Sequence, residues 1–455
     1  MEIPEVLRRV MRRGGPAVVF EEVRGFPGWR LVGNLFGTLD RIRLALGVEQ
    51  LEEIGERLVS AAVRTPPMSL GEKLRSLRDA LDLGRYMPRL VRRPRFEDEV
   101  VEGDRVDVER LPAVKQWPLE GGRYITFGQV YTVDPTTSVT NIGVYRVMLR
   151  GRDELVIHWQ MHKRGRLAYA SAAERGEPLP VAVVVGADPA TMLTGVMPVP
   201  HPMDKLLFAG FMAGRGVDVY KLPNGVPVPA GAEVVLEGWV EPERLAPEGP
   251  FGDHWGYYDT PHEKFPVMRV ERLWMRRSPF FVATVVGKPP LEDAAIGKAV
   301  ERVFLPLLRV LLPEVVDLNL PEHGVFQGLA IVSIRKRYPG HGKKVLSALW
   351  GLAQLSLTKI IVVVDHDIDV HNIDQVMWAV SAHVDPQRDV IVLPNSHTDQ
   401  LDPATPIPGY GSKLGIDATR KLPEEYGGRE WPREVEPDPE TVRRIDELWP
   451  SLGLD

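Results

Sequence analysis

Tyr124-Ile125-Thr126-Phe127-Gly128-Gln129-Val130-Tyr131-Thr132 opens a series of short runs rich in β-branched and aromatic residues. Further runs follow at 139–149, 154–161, 181–186, 233–239, 266–275 and 280–286, separated by Gly, Pro and Asp turns. That spacing predicts a sheet or a barrel. Two helices interrupt it. One, at 189–194, follows Gly186-Ala187-Asp188-Pro189, where Asp caps and Pro opens a helix, and the second covers 203–213.

Upstream, residues 1–112 mix an apolar strand, Ala17-Val18-Val19-Phe20, with helical segments near 40–47, 49–62 and 70–83. Segment 88–112, with Pro88, Pro94 and Pro112 among alternating charges, reads as a linker or edge strand, since proline removes a ladder donor. Downstream the pattern alternates: helix 295–312, strand 328–335, helix 341–355, then Lys359-Ile360-Ile361-Val362-Val363-Val364, apolar enough for a strand buried on both faces. A last helix at 439–449 follows a proline-rich arm and is placed to dock on a partner subunit. The expected architecture is α+β and multidomain: an N-terminal α/β part (1–112), a β-rich part (113–294) and a C-terminal α/β part ending in a helix (295–455).

A chain of 455 residues exceeds one ordinary core. Its formal net charge of -6 supplies no basic field, which argues against nucleic acid as a partner. The absence of cysteine excludes disulfides, thiolate metal sites and cysteine nucleophiles, leaving oxygen and imidazole for any metal. No apolar run reaches the roughly 18 residues of a membrane span, and Met1-Glu2-Ile3-Pro4-Glu5 does not read as a signal peptide, so the expected location is cytoplasmic. Only six Asn and nine Gln, beside 41 Pro, point to a thermophilic host, although a GC-rich genome also enriches Arg, Pro and Gly.

Two segments carry candidate chemistry. In Val156-Ile157-His158-Trp159-Gln160-Met161-His162-Lys163-Arg164-Gly165, strand alternation would put His158, Gln160 and His162 on one face and Trp159 and Met161 on the other. Such a polar face lines a site or meets solvent. Just upstream, Asn141-Ile142-Gly143-Val144-Tyr145-Arg146 places Asn141 and Arg146 on opposite faces, unless Asn141 precedes the strand or Gly143 bulges. The second segment, Pro247-Glu248-Gly249-Pro250-Phe251-Gly252-Asp253-His254-Trp255-Gly256-Tyr257-Tyr258, carries two carboxylates five apart in a Gly/Pro loop. Bent toward one point they would repel, raising one pKa into the range for proton transfer; loops with two acids also occur on plain surfaces.

Two further motifs fail. Asp365-His366-Asp367-Ile368-Asp369 imitates a calcium loop but has Val370 and Val376 where Gly and Glu are required. Gly340-His341-Gly342-Lys343-Lys344 imitates a P-loop but has Arg337 in place of its first Gly and Lys344 in place of Ser/Thr.

Taken in order, Gly122 to Thr126, Asn141 to Arg146, Gly186 to Ala190, Glu248 to Tyr258, Gly287-Lys288-Pro289-Pro290, Pro339 to Lys343 and Gly411 to Thr419 resemble the UbiD family of decarboxylases over nearly the whole chain. The resemblance implies a central split β-barrel that binds prenylated FMN, with α/β parts on either side. It also implies a divalent metal, Mn or Mg, with K+ as a further ion, and assembly as a homodimer or homohexamer. A flavin prenyltransferase would supply the cofactor, which accepts electrons while CO2 leaves.

By position, Arg146 would bind the substrate carboxylate and pair with Glu248, and Asp253 would protonate the vacated carbon. Bidentate geometry suits Arg146 to a carboxylate, and a water-poor pocket would keep an acid protonated near neutral pH. Val144, Tyr145, Arg146, His158, Trp159, Gln160, Lys163, Arg164 and Lys413 match positions that hold the flavin. Asn141 and His162 match two metal ligands, but Lys205 stands where a third, a Glu, is expected, with Asp204 beside it. Either Asp204 substitutes after a local shift, or the Lys205 ammonium meets the flavin phosphate and the metal is weakened or lost.

The implied substrate is an unsaturated carboxylic acid. Within a thermophilic archaeal host the best match is trans-anhydromevalonate 5-phosphate, decarboxylated to isopentenyl phosphate for isoprenoid synthesis. The alternatives are an aromatic or polyprenyl-hydroxybenzoate-type acid or, from another class, a flavin-binding protein without turnover.

Overall fold

The computed structural model describes residues 1–62, 84–161, 163–200, 202–261 and 263–454. The helix expected over 70–83 and the candidate ligand His162 lie outside them.

Helix α1 (Glu2–Met11) turns Pro4, Leu7 and Met11 into the core. Strand Val18–Phe20 pairs antiparallel with Arg30–Gly33, which pairs parallel with Phe280–Val282 on its other side. The last run of the β-rich series therefore completes the N-terminal sheet instead of extending the barrel. Helix α2 (Leu39–Leu46) starts at the Thr38 cap and stops at Gly47, whose φ of 66° suits glycine. Helix α3 (Glu52–Ala62) approaches a later helix at Gly55, where a Cβ would lie 2.1 Å from the Val303 carbonyl oxygen.

Six antiparallel strands close the central barrel: β1 (Tyr124–Val133), β2 (Thr140–Arg150), β3 (Glu154–Ile157), β4 (Leu179–Val185), β5 (Val234–Pro247) and β6 (Lys264–Met275). Their order is β5-β4-β1-β2-β3-β6, and β6 pairs back onto β5. Closure gives a nearly all-apolar strand such as β4, Leu-Pro-Val-Ala-Val-Val-Val, hydrogen-bonded neighbours on both sides. Glu99–Glu102 lies along β6 and Arg89–Leu90 beside Asp218–Lys221, so part of segment 88–112 serves as edge strand.

Helix α4 (Arg164–Glu174) follows β3, and helices α5 (Pro189–Thr194) and α6 (Lys205–Ala213) follow β4; Asp188 and Asp204 cap the latter two. Leu7, Ile42 and Ile54 of the N-terminal part share one apolar core with Val130, Val183 and Leu236 of the barrel.

The strand expected over 154–161 stops at Ile157. There the Trp159 amide donates to the Ile157 carbonyl at 2.9 Å, a tight turn that takes the chain out of the ladder. The expected alternation fails accordingly: Trp159 is 1% exposed, whereas Met161, expected on the same face, is 61% exposed. Gly143 does not bulge either. β2 keeps a regular register with β1 from Thr140 to Tyr145, and the irregularity lies on β1 between Ile125 and Gly128, opposite Arg146. Asn141 and Arg146 thus remain on opposite faces of β2.

Helix α7 (Glu292–Leu311) leads into the C-terminal sheet: β7 (Val315–Asn319), β8 (Leu329–Ile334), β9 (Ile360–Asp365), β10 (Val390–His397) and β11 (Tyr410–Asp417). The order is β7-β8-β9-β11-β10, with β8, β9 and β11 parallel. Helices α8 (His341–Trp350) and α9 (Ile373–His383) accompany it; α8 ends at Gly351, short of the expected 355. Asp367 is engaged by the Arg420 guanidinium at 3.0 and 2.7 Å, an occupied carboxylate and no calcium ligand. Helix α10 (Pro439–Leu452) buries no residue.

Candidate active site

The loop after β5 is folded back by its glycines. Gly249 has φ 90°, and Gly252 comes so close to Trp117 that a Cβ would lie 2.0 Å from Cδ1. Phe251–Gly252 then pairs with Tyr258–Asp259 as a short ribbon whose tip carries Asp253, His254 and Trp255.

This ribbon delivers three carboxylates to Arg146. Glu248 grips it at two points, Nε at 3.0 Å and Nη2 at 2.8 Å, while Nη1 donates to Asp253 at 2.9 Å and Nη2 to Asp259 at 2.6 Å. The guanidinium also lies over the Phe251 ring, 4.7 Å from its centroid. His158 joins from β3, with Nδ1 2.9 Å from Glu248 and its ring stacked on Phe265.

The protonation pattern differs from the expectation of two repelling acids. Burial opposes the Glu248 charge, but Arg146 and then His158 outweigh it, and the carboxyl falls to about 2. Asp253 is likewise held below the usual carboxylate range: burial is overcome by His254 and Arg146. The proton expected on Asp253 therefore sits on its neighbour. Burial works against a charged His254, yet the Asp253 carboxylate, in contact with Nδ1, raises it to about 10. Burial and Arg146 lower His158, which is neutral at pH 7 and donates its Nδ1 proton to Glu248.

The C-terminal part closes over the ribbon. Asp399 accepts from the Trp255 indole at 3.2 Å and lies 3.5 Å from His254 Nε2. Lys359 pairs with Asp402 at 2.9 Å and lies over the Trp255 ring. Between the parts runs a cleft of about 500 Å³, lined by His158, Asp253, Asp259, Glu263 and Asp402 among others, with no Lys or Arg among its described lining residues.

A second cluster lies on the other face of β2. Asn141 and the Gly165 amide both engage the Tyr145 hydroxyl, and Tyr145 meets the Trp159 ring edge-on at 6.3 Å. Val144 donates to the Gly195 carbonyl. Lys205 Nζ donates to Ile142 O at 2.6 Å and Gly195 O at 3.4 Å. Burial, then Arg164 and Lys163, press its pKa down to about 7. Residues 158–164 thus run from the carboxylate cluster to the cationic one, with Trp159 and Gln160 buried between them.

Buried polar atoms without partners here are Asn141 Nδ2, His158 Nε2 and Trp159 Nε1. Asn141 Nδ2 and Trp159 Nε1 are donors, while His158 Nε2, with the ring proton on Nδ1, is an acceptor; unpaired donors beside clustered cations fit a polar, phosphate-bearing cofactor. They do not fit a divalent metal. Asp204 spends Oδ1 on the Leu206 and Leu207 amides and Oδ2 on the Thr140 amide, which fills three of its roughly four acceptor positions. Among the described residues no three His, Asp or Glu side chains converge for a metal.

Of the residues singled out from sequence, Arg146, Glu248, Asp253 and His158 form one network, and Asn141, Tyr145, Trp159, Lys163, Arg164 and Lys205 the other. Lys413 joins neither: its ammonium is held by the Ser356 and Thr358 carbonyls, and burial pushes it down to about 8. Sequence reasoning missed Asp259, the third partner of Arg146, although it ends the same Gly-rich loop. It gave His254 no role although it quoted it. Asp399 carried no local signal, and neither did partly buried Asp293, which burial raises to about 7 against the pull of His254.

A closed barrel carrying a buried, carboxylate-ringed arginine beside a cationic, donor-rich pocket is the arrangement of an enzyme site. Three family models match the chain in order: the 3-octaprenyl-4-hydroxybenzoate carboxy-lyase N-terminal domain at residues 1–58, the Rift-related domain at 89–289 and the C-terminal domain at 294–418. The chain belongs to the UbiD family and is a carboxy-lyase.

An uncharacterized protein of Aeropyrum pernix is 61% identical across 100% of this chain and 94% of its own; one of Archaeoglobus fulgidus is 45% identical across 99% and 93%. Vanillic acid decarboxylase of Sedimentibacter hydroxybenzoicus in closed form is similar with a TM-score of 0.85 and 28% identity, covering 99% of this chain and 93% of that one. Its open form scores 0.75. The UbiD-class enzyme HmfF of Pelotomaculum thermopropionicum, in complex with FMN, scores 0.77 at 27% identity over 98% and 94%.

Proposed function

We propose that this carboxy-lyase removes CO2 from an α,β-unsaturated or aromatic acid seated in the cleft between barrel and C-terminal part, with prenylated FMN as cofactor and a flavin prenyltransferase as its supplier. The single observation that carries the reading is the Arg146 guanidinium, buried behind the cleft and ringed by Glu248, Asp253 and Asp259, the last two of which line the cleft. Asn141, Tyr145, Trp159, Lys163, Arg164 and Lys205 would hold the flavin. When bound, that group supplies an electron sink for the pair left on carbon as the C–C bond to CO2 breaks.

The chain's own groups do the rest. Arg146 keeps one Nη1 hydrogen beyond its four bonds to carboxylates, a donor for the substrate carboxylate. Asp253 delivers a proton to the vacated carbon and takes one from His254, which stores it at Nδ1 against Asp253. The Phe326 ring stacked on His254, with Trp255 tilted against it, keeps water from this exchange.

Carboxylates outnumber cations around the cleft, which disfavours a substrate bearing a second anionic group. The lining therefore supports an aromatic or polyprenyl-hydroxybenzoate-type acid with an uncharged tail. A second reading, trans-anhydromevalonate 5-phosphate giving isopentenyl phosphate, draws on Lys163, Arg164 and Lys205, cations that the cofactor phosphate also claims. Protein co-expressed with a flavin prenyltransferase and assayed for CO2 release on cinnamate, 4-hydroxybenzoate and trans-anhydromevalonate 5-phosphate decides between them. Turnover of the phosphate ester alone would defeat the argument from the lining, and no turnover of any acid by flavin-loaded protein would favour a flavin carrier.

A further inference from the structure

Lys205 is a buried amine, 6% exposed, whose hydrogen bonds among the described residues go to backbone carbonyls, those of Ile142 and Gly195. Among the described residues the Arg164 guanidinium beside it donates to the carbonyls of Met203 and Pro200, both at 3.3 Å. Asp204 and Asp134 act on Arg164, and Asp399 on Lys163, as neighbouring charges, and Asp204 is already committed to three backbone amides. Asn141 Nδ2, buried nearby, has no acceptor among the described residues. Buried positive charges without a counter-ion are costly unless an anion completes them.

A divalent cation would add two more charges to a pocket lined by Lys205, Arg164 and Lys163, where the nearest described carboxylate, Asp204, already accepts from three backbone amides. An ammonium delivers its single charge with hydrogen-bond donors and needs no ligands of its own. Its carbonyl partners, Ile142 O and Gly195 O, are the neutral oxygens that fix such a group in place.

We propose that Lys205 replaces the divalent metal in this chain, so that the cofactor phosphate is bound by Lys205, Arg164, Lys163 and Asn141 without a metal ion. The proposal rests on the reading that the chain takes a flavin phosphate. It predicts binding that is blind to chelators, and a single reversal of charge at Lys205 that restores metal dependence.

The test titrates EDTA-stripped protein with FMN and with riboflavin, following flavin fluorescence, with and without Mn2+, and measures the metal content of the FMN complex. FMN should bind in EDTA within about twofold of its affinity in Mn2+, and at least ~10-fold more tightly than riboflavin, which lacks the phosphate. Lys205→Met should lose ~10-fold in FMN affinity but not in riboflavin affinity, with an unchanged thermal melt to show that it is folded. Lys205→Glu should bind FMN only with Mn2+, the ion then visible by electron paramagnetic resonance. One metal per wild-type chain, or a ~10-fold loss of FMN affinity in EDTA, overturns the proposal and leaves the cofactor reading standing. No FMN binding by folded protein in either condition overturns both.

Discussion

Arg146 and Glu248, 102 residues apart in the chain, meet in a two-point ion pair, Nε to Oε1 at 3.0 Å and Nη2 to Oε2 at 2.8 Å. Both side chains are buried, so water screens neither charge, and β2 and the end of β5 are locked together at the catalytic face.

Glu248→Gln tests what that lock contributes. The folded carboxyl lies at about 2 against an ordinary 4.5. A depressed acid stabilises the fold above its unfolded pKa and loses that contribution as pH falls through the folded one, so the window runs from about 4.5 down to about 2. The shift corresponds to something on the order of 3 kcal/mol. Urea unfolding at pH 7 should show wild type ahead by roughly that amount, and the gap should narrow toward pH 2. An equal gap at both ends would mean that shape, and not charge, explains the loss.

His254 has the opposite sign. Its pKa is raised from 6.5 to about 10, so its contribution is complete below about 6.5 and disappears as pH rises through about 10. Wild type should melt above His254→Gln at pH 6, with the two curves converging toward pH 10. Asp253→Asn should lose turnover by about 10²-fold or more while binding FMN normally. Full activity in that variant would remove Asp253 from the proton path.

How much of this was legible depended on range. The helix at Pro189–Thr194 follows from Asp188-Pro189, and the buried β9 from an unbroken apolar run, because both signals are local. Glu248 and Asp253 were visible as a pair in a Gly/Pro loop, and the resemblance added Arg146. What was not legible was the electrostatic result. Two acids in one loop suggest a raised pKa, but the outcome depends on Arg146, far away in the chain, and on a histidine proton that no periodicity reveals. The end of β3 at Ile157 was missed for a related reason: Val156 to Met161 alternates like a strand, and a turn at Trp159 overrides the pattern. Asp399, from the C-terminal part, needs the tertiary fold to reach His254 at all.

Asp399 offers a test of that long-range contribution. Asp399→Asn keeps an oxygen for the Trp255 indole and removes the charge 3.5 Å from His254 Nε2. Without it the imidazolium loses one of the carboxylates that raise it, so the alkaline limb of the kcat/KM profile should move to lower pH by about a unit. Asp399→Ala should add a rise in KM, since the ribbon tip then loses its tether to the C-terminal part. An unmoved alkaline limb in the Asn variant would reduce Asp399 to a tether.

Six Asn and nine Gln in 455 residues, with 41 Pro, leave few thermolabile side chains and stiff loops. The expected melting temperature is above roughly 75 °C, beyond the range of ordinary mesophilic domains. A calorimetric scan showing a midpoint near 50 °C would assign the composition to genomic base content.

Helix α10 argues for a second copy of the chain. Asp438 caps it, yet none of its residues is buried, and Val442, Ile445, Leu448 and Leu452, spaced three or four apart along one stripe, remain between 39% and 49% exposed. A helix of this length is marginal in water by itself, so packing must supply its stability. Among the described residues nothing buries the stripe, and the prediction is that another subunit covers it, as in a homodimer or homohexamer. Deleting residues 438–455 should lower the mass seen by light scattering while leaving the circular dichroism of the rest and the FMN affinity unchanged, because no core residue is removed. Ile445→Glu should do the same with a single side chain. Full-length protein that runs as a monomer, or a deletion that assembles like wild type, would show that the stripe is no subunit contact.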